Sequence, residues 1–367
     1  MKAKQISGSL AEHSPLHVVK IDPRTDYRWE IFLKSTPASW IYYHPIWLEL
    51  LAEVYDYRPI HLACEDASGQ VVAILPLFHQ RGLRSGHIFR SVFTGPLARD
   101  EQSEFALLQA AVEVAHAVPG SQLHLKMPPR VFDHPVDGLT GAVAYETYHL
   151  ALPERTELLR LDSTIRRAAN KALRQGVTVR RAQSERDLRV WYDLYVQTMR
   201  RLLVLPTPYR LFELAWRRLS SHGMLRLLLA ERVDDGETKL LGGIFLLLCG
   251  KTISFDSLGW REEDQALRVN DLLHWQAIHD ACAEGLRWYD LGDVALSNEG
   301  LARYKRKWGA EALLIYDYAS PAHLHVASNG HTPSKNSSAR LMQAVWPHLP
   351  TRTLGMLAHL YYTFHLY

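Results

Sequence analysis

Apolar positions in this chain follow two periods, and the order in which the periods succeed one another repeats. Trp47, Leu48, Leu51 and Val54 share one face of a helix over 42–57, entered at His44-Pro45, where proline suits a first turn. Strand-like runs follow at 61–65 and 71–79 around the turn Asp66-Ala67-Ser68-Gly69, and at 87–94, closed by Gly95-Pro96. Phe105, Leu108, Val112 and Ala115 predict an amphipathic helix over 101–118, stopped by Gly120, and 123–127 reads as a strand. The second half gives strands at 225–232, 240–248 and 252–258, a helix at 271–284 stopped by Gly285, and a strand from Leu286. Strand, turn, strand, strand, helix, strand thus occurs twice, at 60–127 and 225–291, which predicts a duplicated α/β unit.

Helix-rich material at 156–221 joins the two copies. Ser163 is the expected N-cap of a helix whose apolar stripe is Ile165, Ala168, Ala169, Ala172 and Leu173, with Gly176 as its stop. Arg167, Asn170, Lys171 and Arg174 fall at i, i+3, i+4 and i+7 and make one cationic face. That face is either a solvated surface or a place where a phosphate-bearing partner docks through charge-assisted hydrogen bonds. Leu188, Trp191, Tyr195 and Leu202 trace a second helix, and Thr207-Pro208 starts a third.

Composition narrows the class more than the function. A length of 367 residues suits two domains, and 47% hydrophobic with 22% charged residues is ordinary for a soluble globular chain. The net charge of +3 does not by itself announce a nucleic-acid binder. Cys64, Cys249 and Cys282 lie far apart, which argues against a disulfide framework and a thiolate metal site. The first residues lack a signal-like apolar core, and no run reaches the length of a membrane span, so the expected location is cytoplasmic. Nineteen histidines are scattered without HExxH spacing, so no metal is expected.

The richest chemistry lies in 286–318. Here a strand should end at Gly292-Asp293, where turn chemistry begins, and Ser297-Asn298-Glu299-Gly300 should open a short helix ending at Gly309. The helix carries Arg303, Lys305, Arg306 and Lys307 opposite Asp290 and Asp293. Acidic groups at a strand end facing four cations are a place to hold and react an anionic substrate. The alternative is a solvated helix face.

Several stretches, in order, resemble the Fem-type acyltransferases, which include peptidoglycan-bridge enzymes and relatives from exopolysaccharide and exosortase gene neighbourhoods. They are HPIW at 44–47, VVAILPLF at 71–78, RSVFTGP at 90–96, RRAANKALRQGVTV at 166–179 and NDLLHW at 270–275. The most specific pair is YDLGDV at 289–294 with RYKRKWGAE at 303–311. The resemblance implies an α/β (α+β) fold of two tandem GNAT-like domains, each a mixed sheet flanked by helices. The domains would span 15–152 and 153–320, the second being catalytic. It also implies acyl transfer to an amine of a cell-envelope precursor, the donor being acyl-CoA or aminoacyl-tRNA, with no permanently bound cofactor.

The family's aromatic-Lys pair falls on Tyr304-Lys305, so Lys305 is the expected stabiliser of an oxyanion; Asp290 or Asp293 is the expected proton acceptor, unless both simply cap the loop. Tyr304, Trp308, Arg303, Asn270 and His274 are expected near the donor or substrate, and Arg167, Lys171 and Arg174 under its phosphates. One departure bears on the donor. The loop 261–270 contains no glycine, unlike the loop that grips CoA pyrophosphate in GNAT enzymes. A polar linker at 321–340 leads to an amphipathic helical tail at 341–367, which docks on the domains or rests at the inner face of a membrane. The competing expectation is a non-catalytic module that binds an anionic partner such as RNA, including tRNA.

Overall fold

The computed structural model describes residues 15–36, 40–82, 86–92, 94–130 and 135–321, with Thr353 and Leu357. The first part of the chain forms β1 (His17–Lys20), α1 (Arg28–Ser35), α2 (Pro45–Tyr55), β2 (Arg58–Pro59), β3 (Leu62–Glu65), β4 (Val71–Leu75), β5 (Phe78–Gly82) and β6 (Gly86–Arg90). It continues through β7 (Leu97–Ala98), α3 (Glu101–His116), β8 (Gln122–Met127), β9 (Thr140–Ala151) and α4 (Ser163–Arg174). The remainder is β10 (Thr178–Arg181), α5 (Glu185–Leu202), α6 (Tyr209–Leu219), β11 (Leu225–Asp234), β12 (Glu237–Cys249), β13 (Thr252–Trp260), α7 (Val269–Ala283), β14 (Trp288–Ala295), α8 (Glu299–Lys307) and β15 (Glu311–Ser320).

Local chemistry explains the helix starts. Asp100 caps α3 by accepting from Ser103 N at 2.8 Å, and Ser184 caps α5 by accepting from Asp187 N at 3.2 Å. The cap of α4 is Asp162, accepting from Thr164 N at 2.7 Å, rather than the expected Ser163, which is the first helical residue. A carboxylate there also suits the positive end of the helix dipole.

The expected duplication is visible as two parallel steps. β6 pairs in parallel with β8 across α3, and β13 pairs in parallel with β14 across α7. One sheet has the order β1-β3-β4-β7, and an eleven-stranded sheet runs β10-β11-β12-β13-β14-β9-β15-β8-β6-β5-β2. At the centre of the larger sheet the two halves exchange their last strands. β9 follows β8 in the chain yet lies against β14, whereas β15 follows α8 yet lies against β8. The exchanged strands also pair with each other from Glu311↔His149 to Ala319↔Thr140. One sheet therefore draws strands from both sides of the expected boundary at 152/153, which falls just after β9 ends at Ala151.

Three apolar cores hold this sheet. One packs Leu107, Leu108 and Ala111 of α3 on Leu75, Leu123 and Leu125. A second places α4 and α7 against one face of β9–β14. The third joins the halves on the opposite face, where Trp29, Phe32 and Trp47 meet a cluster containing Trp191, Phe212 and Phe245. Where α5 crosses β13, a Cβ on Gly259 would stand 2.7 Å from Tyr195 N, so a glycine is required for the approach.

No helix among the described residues is long and apolar enough to cross a membrane. The expected linker and tail lie outside the described residues, apart from Pro321, Thr353 and Leu357.

Candidate active site

The strand from Leu286 does not stop at Gly292-Asp293. It continues to Ala295 through a bulge, because Gly292 adopts φ +76°, a left-handed conformation open to glycine at little cost. The bulge sets the chemistry. Asp290 pairs with His149 and Asp293 with Thr147, two residues apart on β9, so both carboxylates stand on the same face. Without the extra residue Asp293 would point to the opposite side.

This face is a polar recess between the halves. Ser254 and Asp256 of β13 flank Asp290, Tyr145, Thr147 and His149 come from β9, and Trp40 closes over the His149 ring at 4.6 Å. Tyr42 feels the charges of Asp290, Asp256 and Asp293, in that order. Asp290 is buried, accepts from Gly292 N at 2.7 Å and bonds to Ser254. Burial pushes its carboxyl up to about 6, and that of Asp256 likewise to about 6. Asp293 keeps surface open to the recess, yet the crowding around it, reinforced by Asp290, raises its carboxyl too. Burial drives His149 down to about 4, which leaves it neutral at 3.7 Å from Asp290.

Lys305 approaches from α8, on the other side of β14. It is 4% exposed and donates to Gly292 O at 2.8 Å and Asp293 O at 3.0 Å, the two carbonyls of the bulge. An ammonium has three protons to donate, so one remains beyond these two bonds. Burial lowers Lys305 to about 8, opposed by the attraction of Asp293 and Asp290. Beside it, β13 and β14 pair only over Thr252–Ser254 and Trp288–Asp290. Beyond that point β13 runs on to Trp260 unpaired with β14, from the place where Phe255, Gly292 and Lys305 come together.

Of the four cations expected opposite the acids, only Lys305 takes that position. Arg303, Arg306 and Lys307 are exposed on the outer face of α8, and Arg306 pairs with Glu146 at 3.3 Å. The expected donor-side wall is instead a packed aromatic core on the α7 face. Trp308 is fully buried, Tyr304 packs beside it, and His274 receives or donates a 2.8 Å bond with Tyr289. These side chains point away from the recess because α8 turns its apolar face onto α7; burial holds His274 near 3 and uncharged. Asn270 lies in the first turn of α7, its Oδ1 buried without a partner among the described residues. Next to it Asp271 is 4% exposed and bonds to Arg268 at 2.8 Å, so a carboxylate already occupies the first turn where a pyrophosphate would sit. Arg167, Lys171 and Arg174 are exposed on α4, and none makes an ion pair among the described residues.

Asp256, Tyr42, Tyr145 and His149 have no place in the motif reading. β9 alternates Tyr145, Thr147 and His149 with Glu146, Tyr148 and Leu150, a period of two that contains polar groups on both faces and so lacks the apolar signal of a half-buried strand.

Comparison with known proteins bears on the fold and on the class of the second domain. Residues 160–306 match the acetyltransferase (GNAT) domain family. A crystal structure of FemX superposes with a TM-score of 0.66 at 16% identity, over 84% of this chain and 98% of that one. L-PGS from Bacillus licheniformis gives 0.53 at 13% identity, over 92% and 98%. A tandem GNAT protein from the clavulanic acid biosynthesis pathway gives 0.50 at 11%, over 84% and 99%. No curated protein matches the chain by sequence. At such identities the structural likeness establishes the fold, and the family match names the class of the domain over the residues it covers. Residues 160–306 thus form an acyltransferase domain of the GNAT class, carried in a fold shared with FemX.

Proposed function

We propose that the chain transfers an acyl or aminoacyl group from an activated donor to an amine of a cell-envelope precursor, at the recess over β13, β14 and β9. The observation that carries this reading is the bulge at Gly292, which turns Asp290 and Asp293 onto one face and offers its carbonyls to the Lys305 ammonium beneath. The donor enters where β13 and β14 no longer pair, and their unpaired backbone groups suit an extended chain. The amine nitrogen attacks the donor carbonyl, and the oxyanion that forms lies near the remaining Lys305 proton. One well-placed donor of this kind stabilises such a state by about 3–4 kcal/mol. The Asp290–Asp293 pair takes the proton that the amine sheds. The C–O or C–S bond then breaks, and the leaving oxygen or sulfur receives that proton.

Two donor classes fit this chemistry. The glycine-free loop 261–268 and the Asp271 carboxylate at the start of α7 disfavour a pyrophosphate grip there. The exposed Arg167, Lys171 and Arg174 favour a polyanionic donor such as aminoacyl-tRNA over acyl-CoA. The envelope acceptor follows from the resemblance to Fem-type enzymes. Purified protein is to be assayed for transfer of a labelled acyl group from each donor to envelope-precursor amines. Transfer from either that is lost in Lys305→Ala supports the proposal, and turnover untouched by that change overturns it. The same basic face supports a second reading, a non-catalytic RNA-binding module, which requires salt-sensitive RNA binding and no turnover with any donor.

A further inference from the structure

The recess has a second end that the transfer reading leaves unused. From Asp293 the same sheet face continues along β9 and β15 onto β8. Tyr145 bonds to the Asp293 carboxylate through its hydroxyl, and its ring lies under the Lys126 ammonium, with Nζ 5.4 Å from the ring centroid. Register keeps these groups on one side. Asp317 of β15 sits opposite Lys126, and Ala319 opposite His124. His124 is buried and lies 3.3 Å from Asp317. Arg90 of β6 pairs opposite His124 and adds a second positive charge.

Lys126 is half-buried, and its backbone N–H bonds to Ser91 at 3.1 Å. Its ammonium donates no hydrogen bond and forms no ion pair among the described residues, unlike Lys305, whose charge two carbonyls receive. Burial and the neighbouring Arg90 disfavour its charge; Asp317 and Asp293 act the other way. The ammonium stays within reach of solvent, so its unspent donors are free to meet an acceptor on an incoming molecule. Stacking on the Tyr145 face uses none of those donors.

We infer that Lys126 is a specificity-determining residue that binds an anionic group, carboxylate or phosphate, on the same acceptor molecule whose amine sits at Asp290 and Asp293. The inference rests on the transfer reading for the role of the acid end, and adds the acceptor's chemical class. Tyr145 spans the distance between the two ends, so the anion must be several bonds from the amine. An α-amino acid's own carboxylate is too close to its amine to serve both. The acceptor is therefore an amine on a side chain or sugar, borne by a molecule that is also acidic.

The test is calorimetric and uses the full chain without any acyl donor. Hexylamine, 6-aminohexanoate and 6-aminohexyl phosphate are titrated into the wild type, Lys126→Met and Lys126→Arg. A charge-assisted bond to a partly buried cation predicts that at least one anionic amine binds about tenfold to a hundredfold more tightly than hexylamine. The better of the two identifies the anion as carboxylate or phosphate. Lys126→Met is expected to erase the preference and Lys126→Arg to keep much of it. Wild type that binds hexylamine as tightly as both anionic amines, or binds none of them, overturns the inference, as does a preference unchanged in Lys126→Met. Transfer is measured separately. Discrimination without transfer defeats the catalytic reading alone, and transfer without discrimination defeats this inference alone.

Discussion

At the scale of single residues, the proposed chemistry depends on groups whose protonation is displaced in opposite directions. Asp290 is raised to about 6 and Lys305 lowered to about 8, so the state with carboxylate and ammonium together exists between those values. Transfer should follow a bell, rising through pH 6 as the acid pair ionises and falling above pH 8 as Lys305 loses its proton. The limbs report the coupled set rather than either residue alone. A rate that stays flat from pH 5 to 9 would exclude this assignment. Lys305→Ala should lower the rate by about 10²–10³ with the far-UV circular dichroism unchanged.

Asp290 also carries a stability signature. Its folded value exceeds the ordinary 3.8, so the folded state holds a proton that the unfolded chain has released, and stability falls as pH rises from about 4 to 6. Asp290→Asn should flatten that window and be more stable than wild type at pH 7, by at most ~3 kcal/mol. Urea unfolding at pH 4.5 and 7 decides the matter; an Asn variant that is weaker at pH 7 would show that the carboxylate is held by bonds the amide cannot make.

Asp290, Asp293 and Lys305 stand out in the sequence because turn chemistry and a basic run draw attention to them. Asp256 does not, since one acid within TISFDSLGW gives no hint of its neighbours across a sheet. Tyr304 and Trp308 adjoin Lys305 in sequence, but they pack with His274 in the aromatic core while the Lys305 ammonium reaches the carbonyls of the bulge.

Among the elements, β14 and β9 carry the most information. The dipeptide Gly292-Asp293 announces a left-handed position, but a strand terminus and a bulge have the same local signature. Only pairing with β9 distinguishes them, and β9 is itself obscure because it is polar on both faces. Helix positions were more legible: the apolar stripes of α3, α4 and α5 follow the 3.6-residue period, since each packs one face on a sheet, although Leu173 and Leu202, expected on the stripes of α4 and α5, lie near the helix ends and are exposed.

Two glycines should respond differently to alanine. At Gly292 the nearest atom to a Cβ would be Phe255 O at 3.5 Å, so Gly292→Ala meets only the left-handed penalty, about 1–2 kcal/mol. Gly292→Asn should retain more stability and activity than Gly292→Ala, because asparagine tolerates that conformation. Gly259→Ala forces α5 off β13 and should cost more than either, with thermal unfolding as the readout. Equal losses at the two glycines would show that α5 yields more easily than its packing suggests.

Across the whole molecule, the strand exchange makes the two halves mutually dependent. Residues 1–152 expressed alone would leave β8 without β15, and 153–367 would leave β14 and β15 without β9. Each half alone should aggregate or stay unfolded by size-exclusion chromatography, while co-expression should restore a complex of full-length mass. A monomeric, cooperatively folding 153–367 fragment would show that the exchange is dispensable. The repeated order of elements was visible in the chain, whereas the exchange was not, because local pattern reports what a segment can become and not which partner it finds.

The exchange also sets a timetable for synthesis. His124 and Asp317, which meet across β8 and β15, are separated by 193 residues. During translation the β8 edge must therefore remain open while most of the second half emerges, and contacts of such long range slow folding. An unpaired strand edge exposed for that interval invites pairing with other nascent chains. The molecule should depend on chaperones during synthesis to a degree that its finished architecture conceals.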